Sequence, residues 1–258
     1  MDLELRGKTA LVTGSTAGIG LAIATALAKE GATVIVNGRT QKRVDQALAS
    51  SGAAHGIAAD LATEAGAAQL IQRFPAVDIL VNNLGIFEPK PFEEIPDDDW
   101  RRFFEVNVLS GVRLSRHYIK PMKQKNWGRI VFISSESALQ IPKEMIHYGM
   151  TKTAQLAVAR GLAETIAGTN ITVNSVLPGP TMSEGVTEFV GKLASAGGVD
   201  AAAIERDFFT IGRPSSLLKR FATPEEVASV VAFVCSPLAA AINGASVRAE
   251  GGILQSIA

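Results

Sequence analysis

The stretch Thr9-Ala10-Leu11-Val12-Thr13-Gly14-Ser15-Thr16-Ala17-Gly18-Ile19-Gly20 decides the fold. Thr9 to Val12 read as a short buried strand, and residues 19–30 have the periodicity of a helix that Gly31 stops. Between them lies a turn with glycines at 14, 18 and 20. A strand that runs through such a turn into a helix leaves the first helical N–H groups unpaired and facing the turn. Glycine lets the backbone approach an anion there, and the helix dipole favours it. The spacing is Gly-x-x-x-Gly-x-Gly rather than the commoner Gly-x-Gly-x-x-Gly. Tight-turn chemistry alone accounts for such glycines too, but the strand-to-helix context points to the pyrophosphate of a dinucleotide.

Outward from this unit, short apolar runs alternate with longer amphipathic ones. Residues 33–36, 54–59, 77–82, 129–134 and 171–177 read as further strands, and 63–73, 97–125, 145–168 and 224–235 as helices. Residues 245–247 supply a seventh, edge strand. Strands that are apolar throughout and separated by helices must be parallel and covered on both faces. The predicted architecture is therefore α/β, a doubly wound Rossmann-type parallel sheet of about seven strands, in one domain over residues 1–258. Residues 181–222 break the rhythm with scattered Gly, Ser and Pro and read as an inserted substrate lid.

Composition narrows the function. Lys plus Arg and Asp plus Glu are both 25 and no stretch concentrates positive charge, so the footprint of a nucleic-acid binder is missing. Charged residues are only 19% against 47% hydrophobic, a globular rather than disordered balance. The N-terminus has neither the apolar run of a signal peptide nor a transit peptide's basic bias, and no apolar run is long enough to span a bilayer, so a cytoplasmic protein without membrane contact is expected. The single cysteine, Cys235, reads as a small buried hydrophobe near a helix end. His55, His117 and His147 are not spaced as metal ligands and no carboxylate cluster joins them, so no metal is expected. His147 reads as a surface or substrate-facing residue, and Asp97-Asp98-Asp99 as favourable charge at a helix start.

A dinucleotide's second anchor belongs at the end of the second strand, where a carboxylate binds the ribose hydroxyls of NAD and an arginine the 2′-phosphate of NADP. Here stand Asn37-Gly38-Arg39-Thr40. With no acid present and a guanidinium suited to phosphate, NADP(H) is favoured over NAD(H). The other reading of Arg39 is a solvated loop side chain.

Of the two tyrosines, Tyr148 has Lys152 four residues on, one helical turn away on the same face, whereas Tyr118 has Met122. An ammonium beside a phenol lowers its pKa from about 10 toward working pH, so that it can exchange a proton with a substrate oxygen.

These motifs together resemble the short-chain dehydrogenase/reductase family, in its single-domain branch with the Thr-Gly-x-x-x-Gly-x-Gly turn, and the resemblance runs over nearly the whole chain. It implies an oxidoreductase moving a hydride between a nicotinamide and a small carbonyl or secondary alcohol, with Tyr148 as general acid/base. It also implies a serine thirteen residues before the tyrosine, which is Ser135, to hold the reacting oxygen. Asn107 matches the family's fourth catalytic member, which holds a water linking Lys152 to solvent. A helix-interior asparagine needs some such reason.

For the cofactor the resemblance implies Gly14, Ser15, Thr16, Gly18, Ile19 and Gly20 in the turn, with Arg39, Tyr148 and Lys152. It adds Asn83 and Gly85 of Asn82-Asn83-Leu84-Gly85 beside the adenine ribose, and Pro178, Gly179 and Thr181 against the nicotinamide carboxamide. Asp60, with Leu61, matches a family acid at the adenine edge, or else Asp60 serves as a turn or helix-cap residue. Leu84 replaces the family's alanine and fits if it turns toward the core; Glu250 replaces the aspartate of the usual Asp-Gly-Gly near a subunit contact. The resemblance further implies a homotetramer, with a dimer as fallback.

Gln140, Ile141 and Met145 before the tyrosine, and Met182, Phe189, Phe208 and Phe209 in the lid, are substrate-wall candidates. Two other functions stay open in the sequence: a non-catalytic dinucleotide-binding regulator of the same fold, and a lyase or epimerase that returns its nicotinamide unchanged. The intact Asn-Ser-Tyr-Lys set argues against the first, and the chain length and glycine spacing against the second.

Overall fold

The computed structural model describes residues 1–187, 191 and 200–257; the candidate Phe189 lies outside them. Seven parallel strands, β1 (Thr9–Val12), β2 (Thr33–Gly38), β3 (His55–Ala58), β4 (Ile79–Asn82), β5 (Gly128–Ile133), β6 (Ile171–Pro178) and β7 (Ser246–Ala249), form one sheet in the order β3-β2-β1-β4-β5-β6-β7. The order reverses between β1 and β4, and the crevice beyond the strand ends at such a switch point is where this architecture binds ligands. Among the described residues no helix is long and apolar enough to cross a membrane.

Helices α1 (Gly18–Lys29), α2 (Gln41–Ser51), α3 (Glu64–Arg73), α4 (Asp97–Phe104), α5 (Ser110–Lys125), α6 (Ile146–Glu164), α7 (Ala201–Asp207) and α8 (Pro224–Val234) accompany the sheet. Strand side chains alternate between two cores. Val12, Val36, Val81 and Ile133 meet α1 and α8 through Ile23, Leu27 and Val231, while Leu11, Ile35, Leu80 and Phe132 meet α3 and α5 through Leu70, Leu114 and Tyr118. Thr223 caps α8 with a full capping box to Glu226, and Pro224 opens it. Cys235 closes α8 and is fully buried, as read, with burial pushing its thiol up to about 12.

Three features depart from the periodicity. Helix α2 has no counterpart in the sequence reading because only Val44, Ala47 and Ser51 are buried on it, too sparse a stripe to register. The single helix expected over 97–125 is interrupted by a π-helical turn, Glu105–Leu109, which widens the helix at Asn107. His147 is neither at the surface nor facing the substrate: its ring is fully buried, 4.1 Å from the ring centre of Phe103 and 6.0 Å from that of Trp100. Tyr148 and His147 do point different ways, but the second direction is occupied by α4.

Candidate active site

The glycine turn is built from hydrogen bonds that use nearly every polar side chain in it. Ser15 is buried; its hydroxyl donates to the Val12 carbonyl at 2.7 Å and accepts from the Asn37 N–H at 2.9 Å. Just past β4, Asn83 Nδ2 donates to the carbonyls of Thr13 at 2.9 Å and Gly14 at 3.0 Å. The Thr13 hydroxyl in turn accepts from the N–H groups of Asn83 at 2.9 Å and Leu84 at 3.0 Å. Gly14 and Gly18 have φ of +58° and +52°, which only glycine adopts freely. Ala17 caps α1 with no side-chain bond, so the first-turn N–H groups face an open cradle. A Cβ on Gly18 would stand 3.1 Å from Ser183, closing that cradle. The residues therefore fit a pyrophosphate. Leu84 turns into the core beneath α3 and α5, which accommodates its departure from the alanine.

At the end of β2, Arg39 is exposed, while Asn37 points inward: its amide donates to the carbonyls of Ile57 at 3.3 Å and Ala59 at 3.0 Å and accepts from Gly14 N at 3.2 Å. Asp60 makes the tight turn into α3, accepting from Ala62 N at 3.1 Å, and Thr63 rather than Asp60 caps the helix. Leu61 is buried in the core. At the end of β6, Thr181 donates to Gly179 O at 2.9 Å, and Pro178, Gly179 and Thr181 line the same cleft as Tyr148.

Four elements bring the expected proton-handling residues together. Ser135, just past β5, is extended and caps a short 3-10 turn, Glu136–Ala138, accepting from Ser137 N at 3.1 Å. Its neighbour Ser134 is turned the other way and donates to the carbonyl of Lys152 at 2.9 Å. Tyr148 and Lys152 lie on α6, the ammonium 5.5 Å from the phenol ring centre, and Lys152 donates to Ile133 O at 2.9 Å and Gln155 Oε1 at 3.4 Å. Asn107 is spent in a clamp: Oδ1 accepts from Ile86 N at 2.8 Å, and Nδ2 donates to Ile86 O and Thr151 Oγ1 at 3.0 Å each. Its main-chain carbonyl accepts from Gln155 Nε2 at 2.5 Å. The Gln155 amide thus links the Asn107 carbonyl to the Lys152 ammonium.

The electrostatics differ from the sequence expectation. Burial raises the Tyr148 phenol above its ordinary value, the Glu136 carboxyl adds to this, and only the Ser135 hydrogen bond opposes it. The Lys152 ammonium faces the ring and is itself lowered by burial to about 8, against the pull of Glu136. The protein alone thus keeps the phenol protonated, the form that donates a proton.

The cleft, about 510 Å³, joins the glycine turn to Tyr148, Lys152 and the aromatic residues Phe87, Phe208 and Phe221. Met145 lines it; Gln140 is exposed outside its wall, and Met182 packs instead against Phe209 and Phe221 beneath the surface of segment 181–222. Two residues of the site escape a reading by motif. Gln155 carries a signal in its spacing, three residues after Lys152 on the same helical face. Glu136 carries one in its position, immediately after Ser135.

The chain belongs to the short-chain dehydrogenase family, whose model matches residues 8–193. It is 51% identical to the oxidoreductase YvaG of Bacillus subtilis (strain 168), with 100% of both chains covered. It is 34% identical to the 3-oxoacyl-[acyl-carrier-protein] reductase FabG of Aquifex aeolicus, covering 98% of this chain and 100% of that one. Among solved structures, L-sorbose reductase from Gluconobacter frateurii in complex with NADPH and L-sorbose superposes with a TM-score of 0.93 at 32% identity over 100% of both chains. The protein is an oxidoreductase acting on CH–OH and C=O groups with a nicotinamide cofactor. Relatives named as reductases and dehydrogenases leave the non-catalytic reading without support.

Proposed function

We propose that the protein is an NADP(H)-dependent reductase of small carbonyl compounds, reversible toward the secondary alcohol, with Tyr148 as its general acid/base. The convergence of Tyr148, Ser135 and Lys152 on one cleft beside the glycine turn carries this reading. The N–H groups of the glycine turn and the cleft beside it would hold a reduced nicotinamide dinucleotide, which would supply the hydride. The carbonyl oxygen rests between Ser135 and Tyr148, whose buried phenol is protonated and gives its proton to that oxygen as the alcohol forms. Lys152, cationic below about pH 8, stabilises the phenolate left behind. Asn107 and Gln155 hold Lys152 in place.

The exposed Arg39 at the tip of β2, with no carboxylate beside it on that strand, supports NADP(H) over NAD(H), as does the NADPH in the L-sorbose reductase structure. Residues 181–222 act as the substrate lid, and the subunits assemble as a homotetramer. Fluorescence titration with NADPH and NADH tests the cofactor: Arg39→Ala should weaken NADPH binding at least ten-fold, about 1.4 kcal/mol. Equal or tighter NADH binding would remove Arg39 as the phosphate clamp. Tyr148→Phe should abolish turnover while leaving NADPH affinity near wild type; activity near wild type in that variant would overturn the assignment.

A further inference from the structure

Glu136 is a buried carboxyl beside Ser135. It follows Ser135 directly, lines the cleft, and is 6% exposed. Its Oε2 accepts from the Ser135 hydroxyl at 2.5 Å and its Oε1 from the Ser137 hydroxyl at 3.2 Å. Facing it are Tyr148 and Lys152 on α6 and Arg213 from segment 181–222, the last held by Glu144 at 3.2 Å.

A hydroxyl has one O–H and two lone pairs. At Ser135 the Ser137 N–H takes one lone pair, while the carboxylate takes the only O–H. Nothing remains to donate to a carbonyl oxygen. A protonated Glu136 reverses the bond, donating into Ser135, and frees the serine O–H to turn toward the reacting oxygen.

We propose that Glu136 is a positioning residue that must carry a proton for Ser135 to hold the reacting oxygen, so that one carboxyl proton gates turnover in both directions. This rests on the oxidoreductase reading above. Glu136 keeps its proton through the reaction: the hydride comes from the cofactor and the transferred proton from Tyr148. Because both directions share one transition state, both lose activity together as Glu136 ionises. Burial favours its neutral form, and the Ser135 hydrogen bond, the Arg213 charge and the Ser137 hydrogen bonds oppose that.

The test is the pH dependence of kcat/KM in both directions with NADPH and NADP. In the wild type, kcat/KM should fall along a limb that belongs to Glu136. Glu136→Gln, whose amide donates to Ser135 at every pH, should lose that limb. One pH unit beyond it, the variant should exceed the wild type about ten-fold relative to their acid plateaus. The remaining limb, from Lys152, should move to lower pH, since the Glu136 charge no longer supports the ammonium. Arg213→Gln leaves Ser135 and Glu136 intact and should move the Glu136 limb to higher pH. Infrared spectra should show a protonated carboxyl in the wild type that persists above the ordinary glutamate range and is absent from Glu136→Gln. This last readout needs no turnover and so separates failure of the gate from failure of the oxidoreductase reading. A Glu136→Gln profile that keeps the wild-type limb would overturn the proposal. So would a Glu136 that is ionised throughout the active pH range, or an Arg213→Gln limb that stays in place.

Discussion

Gly20→Ala is the most quantitative test of how the glycine turn is held. A Cβ at position 20 would lie 2.4 Å from Asn83 Nδ2, 2.5 Å from the Gly14 carbonyl oxygen and 3.0 Å from Ser15 Cα. The first two are about 1 Å and the third about 0.5 Å inside a comfortable van der Waals separation of about 3.5 Å, and two of the three neighbours are backbone. If the Asn83 amide retreats, its bonds to Thr13 and Gly14 are lost at about 1 kcal/mol each. If the turn moves instead, overpacking costs about 1–3 kcal/mol. A loss of about 1–3 kcal/mol should lower Tm by about 2–12 °C for a chain of this size. Displacing the turn also misaligns the N–H groups facing the pyrophosphate, and losing one bond to a charged group is worth about 1.5–3 kcal/mol, roughly ten- to more than a hundred-fold in NADPH affinity. Thermal melts and NADPH fluorescence titrations on the same preparations read both quantities. A variant with Tm within about 1 °C and affinity within about three-fold of wild type would refute the close-approach argument.

Other consequences follow from single groups. With Lys152 lowered to about 8, the rate that depends on its ammonium should decline as pH rises through about 8, visible in kcat/KM measured from neutral to alkaline pH. Gln155→Leu removes an acceptor from that ammonium and a donor from the Asn107 carbonyl; it should shift the same limb to lower pH and destabilise the fold by about 1–3 kcal/mol, checked by denaturant titration. His147 is held below its ordinary pKa of 6.5 by burial, so its neutral form is the folded one. The unfolded chain gains a proton first as pH falls, and stability should be complete above about 6.5 and lost progressively below it. His147→Leu should flatten that acid decline in urea midpoints; an unchanged slope would place the sensitivity elsewhere.

The sheet was legible because most strands are short, largely apolar runs and the turns after β1, β4 and β6 carry Gly14, Gly85 and Gly179, so β1 to β7 fall close to where the periodicity puts them. Helix α2 was not, because it sits on the edge of the domain and buries three residues. The π-helical turn at Glu105–Leu109 was also invisible. Nothing local demands it, and what sustains it is the Asn107 clamp to Ile86 and Thr151, made by residues far away in sequence. The Asn107 side chain was noticed as out of place in a helix, but its partners were not readable. Helical spacing pairs Tyr148 with Lys152 and the family resemblance adds Ser135, and all three line one cleft. The field around them was not legible, since the raised phenol and lowered ammonium come from burial and from Glu136, neither of which a spacing reveals. His147 shows the same limit: a helix gives the direction of a side chain, and only the packing of α4 says whether that direction is wet.

The inward turn of Asn37 bears on redesign of cofactor choice. Its amide ties β2 to β3 and to the glycine turn at once, and an aspartate there would set a carboxylate against the carbonyl oxygens of Ile57 and Ala59. The next position is closed too, because a Cβ on Gly38 would meet Thr16 at 2.4 Å. Placing an acid at the strand end, the usual route to a diol-binding pocket, therefore fails at two successive positions for reasons of architecture rather than recognition. An engineer who wants to change which dinucleotide this scaffold accepts is left with Arg39 and the loop that follows it, and a library spread over all three positions would spend two-thirds of its variation on unfolding the barrier between strand and turn.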